Sequence, residues 1–346
     1  MDLELFNYDL PEELLALYPA KRRDGSKLMS LRRESGEIGH HKFSDIIDFL
    51  NPGDALVLNN TKVFKARLRA RRASGGRVEV FLLEEIKHEG RISWVVLTHP
   101  GRRVKEGEVL YVGDMDGVEV VRKNPDGKSI VRFQSRTEAE RIIKRFGEVP
   151  LPIYIHREPD KSDESRYQTV YALGTKDKSV AAPTAGLHFT QKTLDKIKDK
   201  GIKIIPITLH VGYGTFKTVK TDNIEDHTVD PEFAEITKSA AKAISRIKEA
   251  GGKVVAVGTT SVRTLESAEV KDGEILPYTG NVDLYIKPGH EFKVVDKMIT
   301  NFHLPKSSLI ILVSAFAGRE NIMRAYRAAV ENQYRFYSYG DCMIIH

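Results

Sequence analysis

Between residues 76 and 134 the chain alternates apolar and polar positions in short runs: "RVEVFLLEEI", "RISWVVLTH", "EVLYVG", "GVEVVRKN" and "KSIVRFQ". That period of two places apolar side chains on one face of a strand, and the turn signals "HEG", "KEGE" and "PDG" separate the runs. The spacing predicts a small antiparallel barrel or sandwich. A helical "EAERIIKRFG" and an extended "VPLPIYI" close it. The flanks carry a different pattern. After residue 178 a strand-like "SVAAP" precedes a helical "QKTLDKIKDK", then "GIKIIPITLHVGYGTF", a long amphipathic helix within 232–250, and "GGKVVAVGTTSVRTLES". Helices alternating with near-continuous apolar runs predict an α/β layer with strands buried on both faces. Residues 1–62 share this character, with "FSDIIDFL" helical and "DALVLNN" a buried strand. The pattern predicts a discontinuous α/β domain, 1–62 and 150–346, interrupted by a β-rich insert at 63–149.

Four apolar strands run into Gly, hydroxyl or His residues: "ALVLNNTK" (55–62), "VAAPTAGLHFT" (180–190), "ITLHVGYGTF" (207–216) and "VVAVGTTSVRT" (254–264). Ligands of α/β sheets bind at the carboxyl ends of strands, where loops pool polar groups. Four such ends predict one polar pocket lined by Thr184, Gly186 and His188, with glycine admitting close backbone approach. Thr259, Thr260 and Ser261 stand where a helix begins, as an anion or ribose cradle with Arg263 nearby. Strand-to-helix turns and ordinary N-capping account for the same residues one cluster at a time. "HVGYGTF", with Gly212, Gly214 and Thr215, fails the dinucleotide fingerprint because Lys217 replaces the third glycine.

Histidine suits proton transfer near neutral pH. Of eleven, His188, His210, His227 and His303 lie in or beside these clusters or in "TNFHLP". No His pair has metal-ligand spacing and the single Cys342 cannot complete a site, so no metal is expected. Arg67, Arg69 and Arg71 alternate along a strand and aim three guanidiniums at one face, where they would track an RNA backbone or simply meet water. Tyr337 and Tyr339 in "YRFYSYGD" offer one face for base stacking, though aromatic strands also build cores.

Composition bounds these readings. The 346 residues, 41% of them hydrophobic, suffice for one large domain and a smaller companion. Lys and Arg number 54 against 48 Asp and Glu, a balance that suits a polyanionic partner such as RNA. The longest apolar run, "LIILVSAFAG", is about half of the roughly 20 residues a bilayer crossing needs. An acidic amino terminus argues against a signal peptide, and one cysteine suits a reducing, cytoplasmic setting.

"YDLPEELLALYP", "NNTKVFKARL", "YQTVYA", "VAAPTAGLHFT", "LHVGYGTF", "EDH", "AVGTTSVRTLES", "VDKMITNFHLP", "LVSAFAG" and "YRFYSYGD" stand in one order along nearly the whole chain. In these strings and their order the chain resembles the S-adenosylmethionine:tRNA ribosyltransferase-isomerase family of queuosine biosynthesis. The resemblance implies an α/β, barrel-like domain with an inserted small antiparallel β-barrel, the insert being a candidate tRNA contact. It implies transfer and isomerisation of the ribosyl group of S-adenosylmethionine onto 7-aminomethyl-7-deazaguanine in tRNA with a GUN-type anticodon. Epoxyqueuosine forms while adenine and methionine leave. No tightly bound cofactor, no membrane and a monomer are expected. Carried onto this chain, the motifs make His188 and His210 the candidate base and acid, with His227 and His303 behind them. Thr184, Gly186, Gly212, Gly214, Thr215, Thr259, Thr260 and Ser261 would hold the donor and Arg263 its carboxylate. Asn59, Asn60, Lys62, Arg67, Arg69 and Tyr337 would meet the modified base or the tRNA.

The chain departs from the family pattern in three places. "HTVDPEF" lacks the second histidine usual after "EDH", "SKL" puts Lys27 where the family usually has Arg, and Cys342 replaces an alanine. Lysine keeps charge without bidentate geometry, which suits a phosphate contact. Two rivals remain at this point: a tRNA methyltransferase using the same donor, which lacks its glycine-rich loop here, and a non-catalytic RNA-binding protein built on the basic insert.

Overall fold

The computed structural model describes residues 1–113, 116–216 and 218–346. They form two compact units: Met1–Lys62 with Gln168–Lys176 and Ala182–His346, and Val63–Tyr167 with Asp177–Ala181. The sequence pattern ended the insert at 149, whereas the second unit continues to Tyr167 because Arg157 pairs with the fully buried Asp163 carboxylate and Tyr167 is itself buried.

The smaller unit is a closed barrel. Strands Arg67–Arg72, Arg77–His88, Arg91–His99, Lys128–Arg132, Asp116–Lys123 and Val109–Val112 pair in that order, all antiparallel, and Arg67–Arg72 returns to Val109–Val112. Closure leaves the ring without open edges, and Leu68, Val80, Leu82, Val96, Val118 and Val131 fill its interior. Helix Arg136–Phe146 is capped by the Ser135 hydroxyl, which accepts from the Glu138 N–H.

The larger unit is built on a mixed sheet of nine strands, ordered Tyr278–Val282, Glu232–Ile236, Lys203–Leu209, Ala55–Asn59, Val254–Val257, Lys297–Asn301, Cys342–Ile345, Lys27–Leu31 and Ile38–Lys42. The four from Lys203–Leu209 to Lys297–Asn301 run parallel. Both faces are covered. Ala55, Val57, Val254, Ala256, Met298, Met343 and Ile345 pack with helices Lys238–Glu249, Ser308–Ala317 and Arg319–Glu331 on one side. Leu56, Leu58, Val255, Val257, Ile299, Cys342 and Ile344 pack with helix Gln191–Asp199 and the Phe43–Phe49 turns on the other. Adjacent residues thus enter opposite cores, which is why "ALVL" and "VVAV" are apolar throughout.

Two local expectations change. "SVAAP" is not a strand; Ser179 forms an isolated bridge to Val63. The amphipathic helix expected within 232–250 is Lys238–Glu249, capped by the Thr237 hydroxyl and preceded by strand Glu232–Ile236. "FSDIIDFL" winds as a 3-10 helix. Among the described residues no helix is long and apolar enough to cross a membrane.

Candidate functional site

Strand direction decides where the polar segments go. Parallel strands Ala55–Asn59, Lys203–Leu209, Val254–Val257 and Lys297–Asn301 deliver residues 60–62, 210–214, 258–263 and 302–303 to one edge of the large sheet. Glu232–Ile236 and Cys342–Ile345 are antiparallel to their neighbours in this block, so the residues before them, Asp230 and Tyr337–Asp341, arrive at the same edge. Tyr278–Val282 reverses again and brings Leu284 and Tyr285 there.

Two adjoining clefts open at this edge, sharing Thr259, Thr260 and Leu309. The first, about 470 Å³, is lined by Gly214, Asp230, Glu232, Arg263, Tyr285 and a wall of Val229, Leu284, Ile286 and Leu312. The second, about 490 Å³, is richer in hydroxyls, with Thr184, Thr300, Asn301, His303, Tyr337 and Ser338. Helix Thr259–Glu266 begins where the clefts meet, and its N-cap, Gly258 at φ 87°, supplies no side chain to cover the first-turn N–H groups. An uncapped helix start of this kind favours anionic or hydroxyl ligands.

The candidate residues separate. Thr184, Thr259, Thr260, Gly214, Arg263, His303 and Tyr337 line the clefts. Ser261 turns away, donating to the Val257 carbonyl at 2.7 Å with no exposure. Gly186 is needed for packing rather than ligand approach, since a Cβ there would lie 1.9 Å from the Tyr171 hydroxyl. Gly212 donates its N–H to Glu232 at 2.7 Å. A Cβ on Gly214 would meet the Asp230 carboxylate at 2.5 Å. Thr215 falls in the 3-10 turn Tyr213–Phe216, and its side chain lies outside the described part of the structure.

The histidines occupy four different environments. His188 is 5% exposed, with Nδ1 2.7 Å from the Ser26 hydroxyl and Nε2 3.3 Å from the Asn301 amide nitrogen. Burial, and then the Arg335 and Arg23 charges, push it down to about 3, so it is neutral at pH 7. His303 is likewise buried and pushed down to about 3, with Nε2 2.9 Å from the Thr300 hydroxyl. His210 is half-buried, stacks on Phe233 and holds Nδ1 2.9 Å from the Thr61 hydroxyl. The same hydroxyl lies 3.2 Å from the Lys176 carbonyl, so one threonine ties the imidazole to the neighbouring turn. His227 packs edge-on against Tyr285.

Arg263, expected to hold a donor carboxylate, is committed within the protein. Its Nη1 donates to Glu232 at 2.6 Å, and Nε and Nη2 donate to the Leu284 and Val282 carbonyls. Asn59 is wholly buried and staples two strands: its Nδ2 donates to the Leu209 carbonyl and its Oδ1 accepts from the Leu209 and Thr61 N–H groups. Asn60 accepts from the Thr208 hydroxyl, and the Lys62 N–H donates to the Lys176 carbonyl. Lys27 donates to the Asn332 and Gln333 carbonyls past helix Arg319–Glu331, where a cation complements the helix end. Tyr337 and Tyr339 are 7% and 4% exposed, so no open stacking face forms; Tyr337 sits at φ 72°, with its carbonyl accepting from Asn301. In the barrel, Arg67 lies beside Glu79, and Arg69 bonds Glu148 and Glu158, so carboxylates offset these guanidiniums.

Sequence reasoning passed over Glu232, Tyr285 and Asn301. Asn301 stands in "TNFHLP", two residues before His303. Its Nδ2 serves backbone carbonyls while Oδ1 has no donor. The buried Tyr285 hydroxyl also lacks a partner, and burial followed by the Glu225 charge pushes it up to about 12. Glu232 stands in "DPEF" with nothing in sequence to pair it with Arg263.

The sequence pattern of the family described as "Queuosine biosynthesis protein" matches residues 3–345. A protein of Halothermothrix orenii named S-adenosylmethionine:tRNA ribosyltransferase-isomerase is 50% identical over 347 residues, covering 100% of both chains. A Thermoanaerobacter protein of the same name is 49% identical over 342 residues, 98% of each chain. The solved S-adenosylmethionine tRNA ribosyltransferase of Thermotoga maritima is similar with a TM-score of 0.56 and 38% identity, over 99% of this chain and 100% of that one.

Proposed function

We propose, because the chain belongs to the S-adenosylmethionine:tRNA ribosyltransferase-isomerase family of queuosine biosynthesis, that the two clefts hold S-adenosylmethionine as a ribosyl donor. The observation that carries this reading is the pairing of an apolar, carboxylate-bearing cleft with a hydroxyl-rich one across a shared helix start. The donor is a cation joined to a polyhydroxylated sugar, and it needs both. Asp230 suits the donor's sulfonium or ammonium charge, while Thr184, Thr259, Thr260 and Thr300 suit ribose hydroxyls. The acceptor is 7-aminomethyl-7-deazaguanine in tRNA with a GUN-type anticodon. The enzyme acts in the cytoplasm as a monomer and without a tightly bound cofactor.

In this reading a base removes a proton from the ribose carbon next to sulfur, where the sulfonium stabilises the carbanion. Electron flow opens the sugar and expels adenine, which takes up a proton. The aminomethyl nitrogen then adds to the resulting vinyl sulfonium and loses a proton, the carbanion re-formed next to sulfur closes the five-membered carbocycle on the aldehyde carbon, and the alkoxide so made displaces methionine from the neighbouring carbon to form the epoxide. His210 is the base: its Nδ1 is fixed by Thr61, and Val211 beside it lines the second cleft. His188 and His303 are held neutral and act by hydrogen bonding and position. Arg263 and Glu232 form a charge-balanced pair that anchors Gly212.

The test is incubation with tRNA carrying the modified base and isotope-labelled donor. Release of adenine and methionine in equal amounts is expected. Methylated tRNA with S-adenosylhomocysteine would overturn the reading in favour of a methyltransferase.

A further inference from the structure

Close to the second cleft lies an aromatic surface whose outer ring, Phe233, the donor chemistry does not use. Phe233 is 41% exposed, the one phenylalanine among the described residues to present so much of itself to solvent. It lies on the outward face of strand Glu232–Ile236, whose burial alternates, and stacks on His210 with ring planes 18° apart and centroids 5.7 Å apart. The stack is braced. The His210 N–H donates to the Phe233 carbonyl at 2.9 Å, and the Thr61 hydroxyl holds the imidazole. Glu235, on the same outward face, pairs with Lys176, which ties down the turn carrying the exposed Leu173. Asn281, also exposed, stands opposite Phe233 in the sheet and offers an amide to a base edge. Val211, next to His210, already lines the cleft.

We infer that the Phe233–His210 stack is a platform for a nucleobase of the RNA substrate, placed beside the nucleotide that reacts. This rests on the proposed function and names a contact surface for its RNA. A rigid aromatic with a solvent-facing side, chain-adjacent to the cleft-lining Glu232, is what unstacked RNA bases bind, and an adjacent amide adds an edge contact.

The experiment compares wild type with Phe233→Ala, Phe233→Leu and Phe233→Trp, measuring KM for modified tRNA, KM for donor and kcat. Loss of one stacked base raises KM for tRNA roughly tenfold in the Ala and Leu variants. Trp restores it, while KM for donor and kcat hold. An unchanged KM for tRNA, a wild-type value for Leu, a fall in kcat alone, or equal rises in both KM values would each overturn the inference. Binding of tRNA without donor, followed by fluorescence anisotropy, separates the two claims. Wild type that binds tRNA through Phe233 yet releases no adenine would remove the reaction and leave the platform standing.

Discussion

A histidine buried without a counter-charge pulls the folded state against protons. His188 and His303 each fall to about 3 in the folded protein from an ordinary 6.5. Between those values the unfolded chain takes up protons that the folded chain refuses. Stability is therefore level above about pH 6.5 and falls as pH drops toward 3, by roughly 1.4 kcal/mol per pH unit for each histidine. Urea midpoints taken from neutral pH to about pH 5 will show the slope, and His303→Gln will roughly halve it, His188 keeping its share. Gly186 gives a second prediction at this scale. Gly186→Ala forces a methyl against the Tyr171 hydroxyl and costs about 1–3 kcal/mol. Tyr171→Phe removes an oxygen that has no hydrogen-bond partner, so alone it is nearly neutral, and in the Gly186→Ala background it recovers part of the loss in thermal midpoint. Neither residue's part was readable from the motif "VAAPTAGLHFT". The string signals a turn with a histidine, but only packing reveals that the glycine serves a tyrosine and that the imidazole is sealed from water.

Elements were legible where local chemistry alone sets them. Alternation fixed the barrel strands, and helix Lys238–Glu249 followed from its amphipathic spacing, although its Thr237 cap and the strand before it did not. Barrel closure between Arg67–Arg72 and Val109–Val112 joins segments some 40 residues apart, and no local pattern encodes it. The same limit applies at helix Thr259–Glu266, where Thr259 and Thr260 meet the clefts while Ser261 turns inward to Val257. Which hydroxyl faces the ligand depends on how the helix sits on the sheet. The Arg263–Glu232 pair links this helix to the start of strand Glu232–Ile236, with side chains 10% and 3% exposed. Glu232→Gln leaves a buried guanidinium uncompensated and lowers unfolding free energy by about 3–5 kcal/mol. A double variant with Arg263→Met loses less than the two single losses combined, a coupling that a chemical-denaturation cycle measures directly.

At the scale of the molecule, each unit has its own charge logic. The basic stripe predicted to track RNA is real as a strand face, but Arg69 is ringed by Glu79, Glu148 and Glu158. A guanidinium shared among three carboxylates has little charge left for phosphate, so Arg69→Ala leaves the salt dependence of tRNA binding unchanged and lowers barrel stability instead. A shallower salt slope in that variant would restore Arg69 as an RNA contact. The larger unit's logic is topological: strand direction gathers segments far apart in sequence onto one sheet edge, where together they grip one donor. Hydrogen exchange with and without S-adenosylmethionine tests this most directly. Protection is predicted together in 182–188, 210–214, 258–263 and 300–303, with the barrel strands unaffected. Protection confined to one of these segments, or appearing mainly in the barrel, would contradict it.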